Sequence, residues 1–112
     1  MEDNINLNLG CVAYTATENG IEADWIYSSK GQVQKGIGKG IRIGKIKAEN
    51  TFEGEFTISY VNQNGEKSPG LILKISFDSG YYNLSWHLEG KTVDIGIGTL
   101  SGDKLIAGYT AC

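Results

Sequence analysis

The sequence predicts an all-β fold, an antiparallel up-and-down barrel or a strongly curled sheet of about eight to ten short strands. Two observations lead to this prediction. Apolar residues alternate with polar ones along most of the chain, which is the period of a strand with one buried face. Short dipeptides that contain glycine separate the alternating segments, as in a meander of hairpins.

The alternation defines the faces of the strands. In one segment Ile21, Ala23 and Trp25 share a face, while Glu22 and Asp24 occupy the other. Further segments place the following residues on the expected inner face: Phe52, Phe56, Ile58 and Tyr60; Leu71, Leu73, Ile75 and Phe77; Tyr82, Leu84, Trp86 and Leu88; Val93, Ile95 and Ile97; Leu105, Ala107 and Tyr109.

Turn dipeptides set how these strands pair. We expect hairpin turns at Asn19-Gly20, Asn64-Gly65, Ser79-Gly80 and Glu89-Gly90, because turns of this kind need positive φ at their central positions. The predicted pairs are Ile58 with Leu71, Phe56 with Leu73, Leu73 with Trp86, Ile75 with Leu84, Trp86 with Val93, Leu84 with Ile95 and Tyr82 with Ile97.

A weak internal repeat organises the chain as one barrel domain, residues 1–112. Gly36-Ile37-Gly38 recurs 60 residues later as Gly96-Ile97-Gly98, and a tryptophan strand precedes each copy, at Trp25 and Trp86. We therefore expect two pseudo-repeated halves, about 10–50 and 70–112, with a strand at 52–61 between them. The glycines of both copies should lie on the outer face, where they would let the sheet coil.

The tryptophan hairpins and glycine-rich return strands resemble, in architecture, the calycin barrels such as avidins and lipocalins. No segment matches the biotin-contact pattern of avidins, and Gly10 is followed by Cys11 and Val12 instead of the lipocalin Gly-x-Trp. The resemblance is therefore one of architecture and carries over no site residue.

The composition of the chain argues against a nucleic-acid partner, a membrane partner and a metal site. The net charge is −3, and basic residues are not interleaved with aromatic ones on one face, so we expect no nucleic-acid partner. The chain has no signal-like or membrane-spanning segment, so either the protein is intracellular or a signal was removed; this favours the cytoplasm without deciding the localisation and predicts no membrane partner. A single histidine makes a metal site improbable, and we expect no cofactor. If the strand that contains Cys11 pairs with the last strand, Cys11 and Cys112 could come within disulfide range. We favour an extra strand at Ile5, Leu7 and Leu9, which would separate the two cysteines and leave both thiols free.

The strongest charge signal is the segment 30–47, which holds six basic residues and no acidic one. Its basic residues are Lys30, Lys35, Lys39, Arg42, Lys45 and Lys47. Lys35 and Lys39 alternate with Val33, Ile37 and Ile41, which would turn them toward the barrel interior as anchors for an anion. If Glu22, Asp24 and neighbouring acids offset these charges, the feature is structural.

The predicted function is a non-enzymatic binding module that holds a small molecule or an anion at the barrel mouth. Its expected ligand-binding residues are Lys35, Lys39, Arg42, Trp25 and Trp86. We expect no catalytic residue, because Ser85, His87 and Asp94 form a flat row without a nucleophile turn or an oxyanion hole. The alternative is a surface module for protein interaction or homo-oligomer formation, with a barrel filled by side chains.

Overall fold

The computed structural model describes residues 8–44 and 52–112. Eight strands in these residues form a closed barrel in which every neighbouring pair is antiparallel and β1 pairs with β8. The strands are β1 Leu9–Ala16, β2 Gly20–Ser29, β3 Gln32–Ile43, β4 Gly54–Asn62, β5 Leu71–Asp78, β6 Tyr81–Leu88, β7 Lys91–Ser101 and β8 Lys104–Ala111. The prediction of an all-β antiparallel barrel is therefore confirmed. None of the described residues belongs to a helix that could cross a membrane.

Local turn chemistry determines several hairpins as predicted. Both residues of Ser79-Gly80 and of Glu89-Gly90 have positive φ, the conformation that two-residue hairpin turns require. Leu73 lies opposite Trp86, as the first of these turns predicts. In the β4–β5 hairpin only Gly65 of the Asn64-Gly65 pair has positive φ, yet Ile58 still lies opposite Leu71 and Phe56 opposite Leu73.

The turn predicted at Asn19-Gly20 lies one residue earlier. The amide of Thr17 donates to the carbonyl of Gly20, so Glu18 and Asn19 are the central residues. Gly20 belongs to β2, where an added Cβ would collide with the carbonyl oxygen of Gly40 on β3. This glycine serves close approach of two strands instead of a turn.

A β-bulge in β7 shifts the predicted β6–β7 register by one residue. Trp86 pairs with Asp94 instead of Val93, because Val93 is the extra residue of the bulge between Trp86 and His87. Since side chains alternate along a strand, a shift of one residue exchanges the two faces. Asp94 therefore faces inward, and Ile95 and Ile97 face outward.

The glycines of β3 and β7 point into the barrel, which corrects the prediction that they lie outside. A Cβ at Gly38 would come within 2.6 Å of the Tyr60 ring, and one at Gly98 within 3.1 Å of Ala107. Their neighbours Ile37 and Ile97 are 61% and 59% exposed. An eight-stranded barrel has a narrow interior, so strands opposite large aromatic residues contribute glycine to it.

One end of the barrel is filled and closed. Phe56 is fully buried there, and the Arg42 guanidinium lies 4.7 Å from the centre of its ring. Arg42 also donates a hydrogen bond of 2.6 Å to the carbonyl of Glu53. The buried apolar residues that fill the described barrel are Val12, Tyr14, Ile21, Ala23, Phe52, Phe56, Ile58, Leu73, Ile75, Tyr82, Leu84, Trp86, Leu105 and Ala107.

Cys11 and Cys112 are both free and exposed, as predicted, although the expected reason is wrong. The strand that contains Cys11 is itself the one that closes the barrel against β8. Cys11 lies opposite Gly108, four positions before Cys112, which is ~13 Å along a strand and too far for a disulfide. The segment around Ile5 and Leu7 lies outside the described residues.

Candidate ligand-binding cup at the open end of the barrel

In the part of the chain that the structure describes, the end of the barrel opposite Phe56 is an open cup of about 430 Å³. This volume falls within the range of small-molecule sites, which is about 300 to 1,000 Å³. We call the cavity the cup; its lining residues are Val12, Tyr14, Trp25, Tyr27, Ser29, Gln34, Tyr60, Ser68, Leu71, Trp86, Asp94 and Tyr109. The barrel is thus filled at one end and hollow at the other.

The strand alternation places the aromatic side chains of the cup. Trp25 and Tyr27 point inward from β2, and Tyr60, Trp86 and Tyr109 do so from β4, β6 and β8. Space between them comes from β3 and β7, whose inward positions at this end include glycine. Because the glycines of β3 and β7 have no side chain to fill the space between the aromatic rings, this end of the eight-stranded barrel is hollow.

Three hydrogen-bonded side chains form the floor of the cup. The Trp86 Nε1 group donates to the hydroxyl of Tyr60 over 2.7 Å, and the hydroxyls of Tyr60 and Tyr14 lie 2.7 Å apart. Burial raises the pKa of Tyr60 to about 12 and that of Tyr14 well above its ordinary value. Both hydroxyls therefore stay protonated at neutral pH and keep the floor neutral.

The walls are braced by ring contacts and by hydrogen bonds to the backbone. The rings of Tyr27 and Tyr109 stack at 5.6 Å with an angle of 8° between their planes, and Trp86 lies 5.3 Å from Tyr109. Trp25 Nε1 donates to the carbonyl of Ile37 over 2.9 Å and contacts Tyr60 edge-on. These contacts hold the rings in place before any ligand binds.

Asp94 is the one acidic residue among those that line the cup. Burial raises the pKa of its carboxyl group to about 6. The cavity also contains the hydroxyl oxygens of Tyr27, Tyr60 and Tyr109, which carry partial negative charge. Burial raises the pKa of the Tyr27 and Tyr109 hydroxyls as well. Within the described part of the chain, we find no side chain or backbone group that donates a hydrogen bond to the Asp94 carboxylate.

The structure brings together only some of the residues predicted to bind a ligand. Trp25 and Trp86 both line the cup, and Trp86 is 3% exposed. Lys35 and Lys39 are exposed on the outer wall of β3, so the expectation that they face the interior is wrong. Arg42 faces inward at the closed end, away from the cup.

The basic segment is partly offset by its neighbours. Glu22 on β2 lies directly across from Lys39, and cross-strand partners of opposite charge attract each other. Asp24, on the same face of β2, lies opposite Ile37, between the positions of Lys35 and Lys39. This register supports a structural role for the charges; Lys45 and Lys47 lie outside the described residues.

The wall of the barrel separates Asp94 from Ser85 and His87. Ser85 Oγ lies 2.8 Å from His87 Nε2, and Thr92 Oγ1 lies 3.1 Å from His87 Nδ1. Asp94 faces the cup, whereas these partners lie on the outer side of β6 and β7. The three residues therefore do not form an acid–base–nucleophile set.

From the sequence, we did not predict Asp94, Tyr27, Tyr60 or Tyr109 as residues of the cup. Alternation does place the tyrosines on the inner face, so that signal was present. Asp94 reaches the inner face only through the bulge at Val93, which has no turn residue to mark it. In the described residues no group of three or more His, Cys, Asp or Glu is arranged to hold a metal ion.

Comparison with known proteins finds no family model, no curated protein and no solved structure that matches the chain. The chemistry of the cup is therefore the basis for a functional proposal.

Proposed function

We propose that this protein is a non-enzymatic binding module that holds a small ligand in the cup. The observation that carries the proposal is an open cavity of about 430 Å³, walled by aromatic rings and floored by a neutral hydrogen-bonded network. Braced aromatic walls favour flat apolar groups, and a few fixed polar groups orient them. The proposed mode is calycin-like, with the ligand at the mouth of the barrel; the pseudo-repeat of the halves stays a prediction.

Binding is a better account of the cup than catalysis. Its tyrosines have raised pKa values, so at neutral pH they stay protonated and supply neither a phenolate base nor an efficient acid. Asp94 is the only other acid–base group among the lining residues, and no nucleophile is hydrogen-bonded to it. An anionic ligand at the mouth has less support, because Lys35 and Lys39 lie on the outer wall and the ionisable group inside is an acid.

Nuclear magnetic resonance tests the proposal with tryptophol, a neutral indole alcohol, as the probe. Trp86 Nε1–H reports on the floor and Trp25 Nε1–H on the wall. We expect saturable shifts of both signals, weakened by Tyr27→Ala and unchanged by Val33→Ala on the outer wall. Shifts confined to outer-wall residues, or equal effects of the two variants, would contradict the proposal.

A second candidate function is interaction through the outer wall of β3. Val33, Ile37 and Ile41 are 58%, 61% and 56% exposed on one face of that strand. Exposed aliphatic rows of this kind favour contact with another protein surface, including a second copy of the chain. Light scattering tests this: a dimer that Ile37→Asp converts to a monomer supports the candidate, and a monomeric parent protein at every concentration counts against it.

A further inference from the structure

We infer that the cup selects ligands in which a positively charged amine is attached to a flat apolar group, with Asp94 as the partner of the amine. This inference rests on the proposed function and names the class of ligand. It follows from where the β7 bulge places one carboxylate and from what surrounds that carboxylate.

The bulge turns Asp94 into a cavity that is otherwise built from uncharged groups. Asp94 lies opposite Trp86 on β6, and it lines the cup together with Tyr27, Tyr60 and Tyr109. Without the bulge, the alternation of β7 would place this acid on the outer wall. An acid on the inner face of a small barrel is costly, because burial removes water from its charged form.

The carboxylate of Asp94 has no partner of its own within the described residues. Groups that are partly buried and charged are usually paired, since an unpaired buried charge destabilises the fold. No lysine, arginine or histidine lines the cup to supply such a partner. A ligand cation would supply it, and the raised pKa of Asp94 is what an acid shows while that cation is absent.

The surrounding rings favour a cation over any other partner. The faces of aromatic rings carry partial negative charge and attract ammonium groups within about 6 Å. The stacked Tyr27–Tyr109 pair and the nearby Trp86 ring lie in the same cavity as Asp94. The hydroxyls of Ser29 and Ser68 and the amide of Gln34, also in the lining, offer further acceptors for N–H groups.

The part of the cup that the ammonium group leaves free indicates what the rest of the ligand should be. An ammonium group occupies only a small part of a cavity of about 430 Å³. The rest is bounded by Trp25, Leu71 and Val12, which are apolar surfaces suited to a flat ring. An arylalkylamine satisfies both parts at once.

Calorimetry with three probes that share an ethylindole skeleton and differ in their terminal group tests the inference. The probes are tryptamine, which is a cation; tryptophol, which is neutral; and indole-3-propionate, which is an anion. We expect the parent protein to bind tryptamine at least tenfold more tightly than tryptophol, and indole-3-propionate most weakly. Asp94→Asn should reduce the tryptamine affinity by about tenfold or more and leave tryptophol within about twofold.

Asp24→Asn is the matched control, because it removes the same charge from the exposed outer wall of β2. It should leave all three affinities unchanged. Equal binding of tryptamine and tryptophol, or an unchanged tryptamine affinity in Asp94→Asn, would overturn the amine inference while the proposed function stands. If no probe shifts the Trp25 and Trp86 indole signals, both the inference and the proposed function fail.

The pH profile gives an independent readout. Tryptamine affinity should fall about tenfold between about pH 8 and pH 5, as the Asp94 carboxylate takes up a proton. The other titratable groups that line the cup with Asp94 are Tyr14 on β1, Tyr27 on β2, Tyr60 on β4 and Tyr109 on β8, and all stay protonated over this range. Asp94→Asn should show no such fall, and a profile equal to that of the parent would contradict the inference.

Discussion

Replacement of Asp94 by asparagine should stabilise the folded protein at neutral pH, although the same change removes a proposed binding group. Burial raises the pKa of this carboxyl from 3.8 to about 6 in the folded state. Ionising it there therefore costs more than in the unfolded chain. Asparagine has nearly the same shape and carries no charge, so the cost disappears.

The magnitude follows from the size of the pKa shift. A shift of about two units corresponds to ~3 kcal/mol if the group is fully shielded from water. Asp94 is only partly buried and faces the open mouth, so solvent screening reduces the expected effect to about 1–2 kcal/mol.

The sign of the pH dependence is fixed by which state holds the proton more tightly. Between about pH 4 and pH 6 the folded protein retains the Asp94 proton while the unfolded chain releases it. The stability of the parent therefore falls as pH rises through this window, relative to Asp94→Asn. The gain of the variant should be complete above about pH 7 and absent near pH 4.

Urea unfolding followed by tryptophan fluorescence measures the effect at a series of pH values. The difference between parent and Asp94→Asn removes the titration of all other carboxyl groups, and Asp24→Asn controls for net charge. A variant less stable than the parent at about pH 7.5, or a difference independent of pH, would refute the assignment of Asp94 as a partly buried, unpaired acid.

Three further predictions concern the barrel itself. Gly20→Ala should lower the free energy of unfolding in urea by at least ~2 kcal/mol, because its Cβ collides with a carbonyl oxygen of β3. Gly70→Ala, whose Cβ would meet nothing within 4 Å, should change it by under ~0.5 kcal/mol. Equal effects of the two variants would contradict the close approach of β2 and β3 at Gly20. Trp86→Ala should cost ~3–5 kcal/mol by the same assay, and a loss below ~1 kcal/mol would show that this ring does not support the core. Thiol titration of the denatured, unreduced monomer should find Cys11 and Cys112 both free, and a result of no free thiol would disprove this.

Hairpin registers could be predicted where the turn itself contains the information. Ser79-Gly80 needs only two residues of positive φ, and the pairing of Leu73 with Trp86 follows by counting outward. The all-β class and the inner faces of β4, β5 and β8 were predictable for a similar reason, since every second residue on those faces is apolar, even though β5 and β8 also have an apolar residue on the outer face, Ile72 and Ile106.

The faces of β3 and β7 could not be predicted by the same rule. Alternation of isoleucine with glycine suggests that isoleucine is buried, yet Ile37 and Ile97 are exposed. The deciding fact is the size of residues on other strands: Tyr60 leaves room only for glycine at position 38. That information is non-local, and the single-residue bulge that turns Asp94 inward is equally invisible in the local sequence.

The cup lies across the seam where the first and last strands close the barrel. Every other pairing joins strands that follow one another in the chain, whereas β1 and β8 bring together residues such as Thr15 and Lys104, 89 positions apart. Closing a loop of that length costs ~2 kcal/mol more than closing a ten-residue one, so the seam should form late in folding and open first.

The Tyr27–Tyr109 stack joins β2 to β8 across this seam. A ligand that contacts β2 on one side and Asp94 and Tyr109 on the other would stabilise the pairing of β1 with β8, which closes the barrel. Ligand binding should then slow hydrogen exchange most strongly in β1 and β8, at amides that the ligand does not touch.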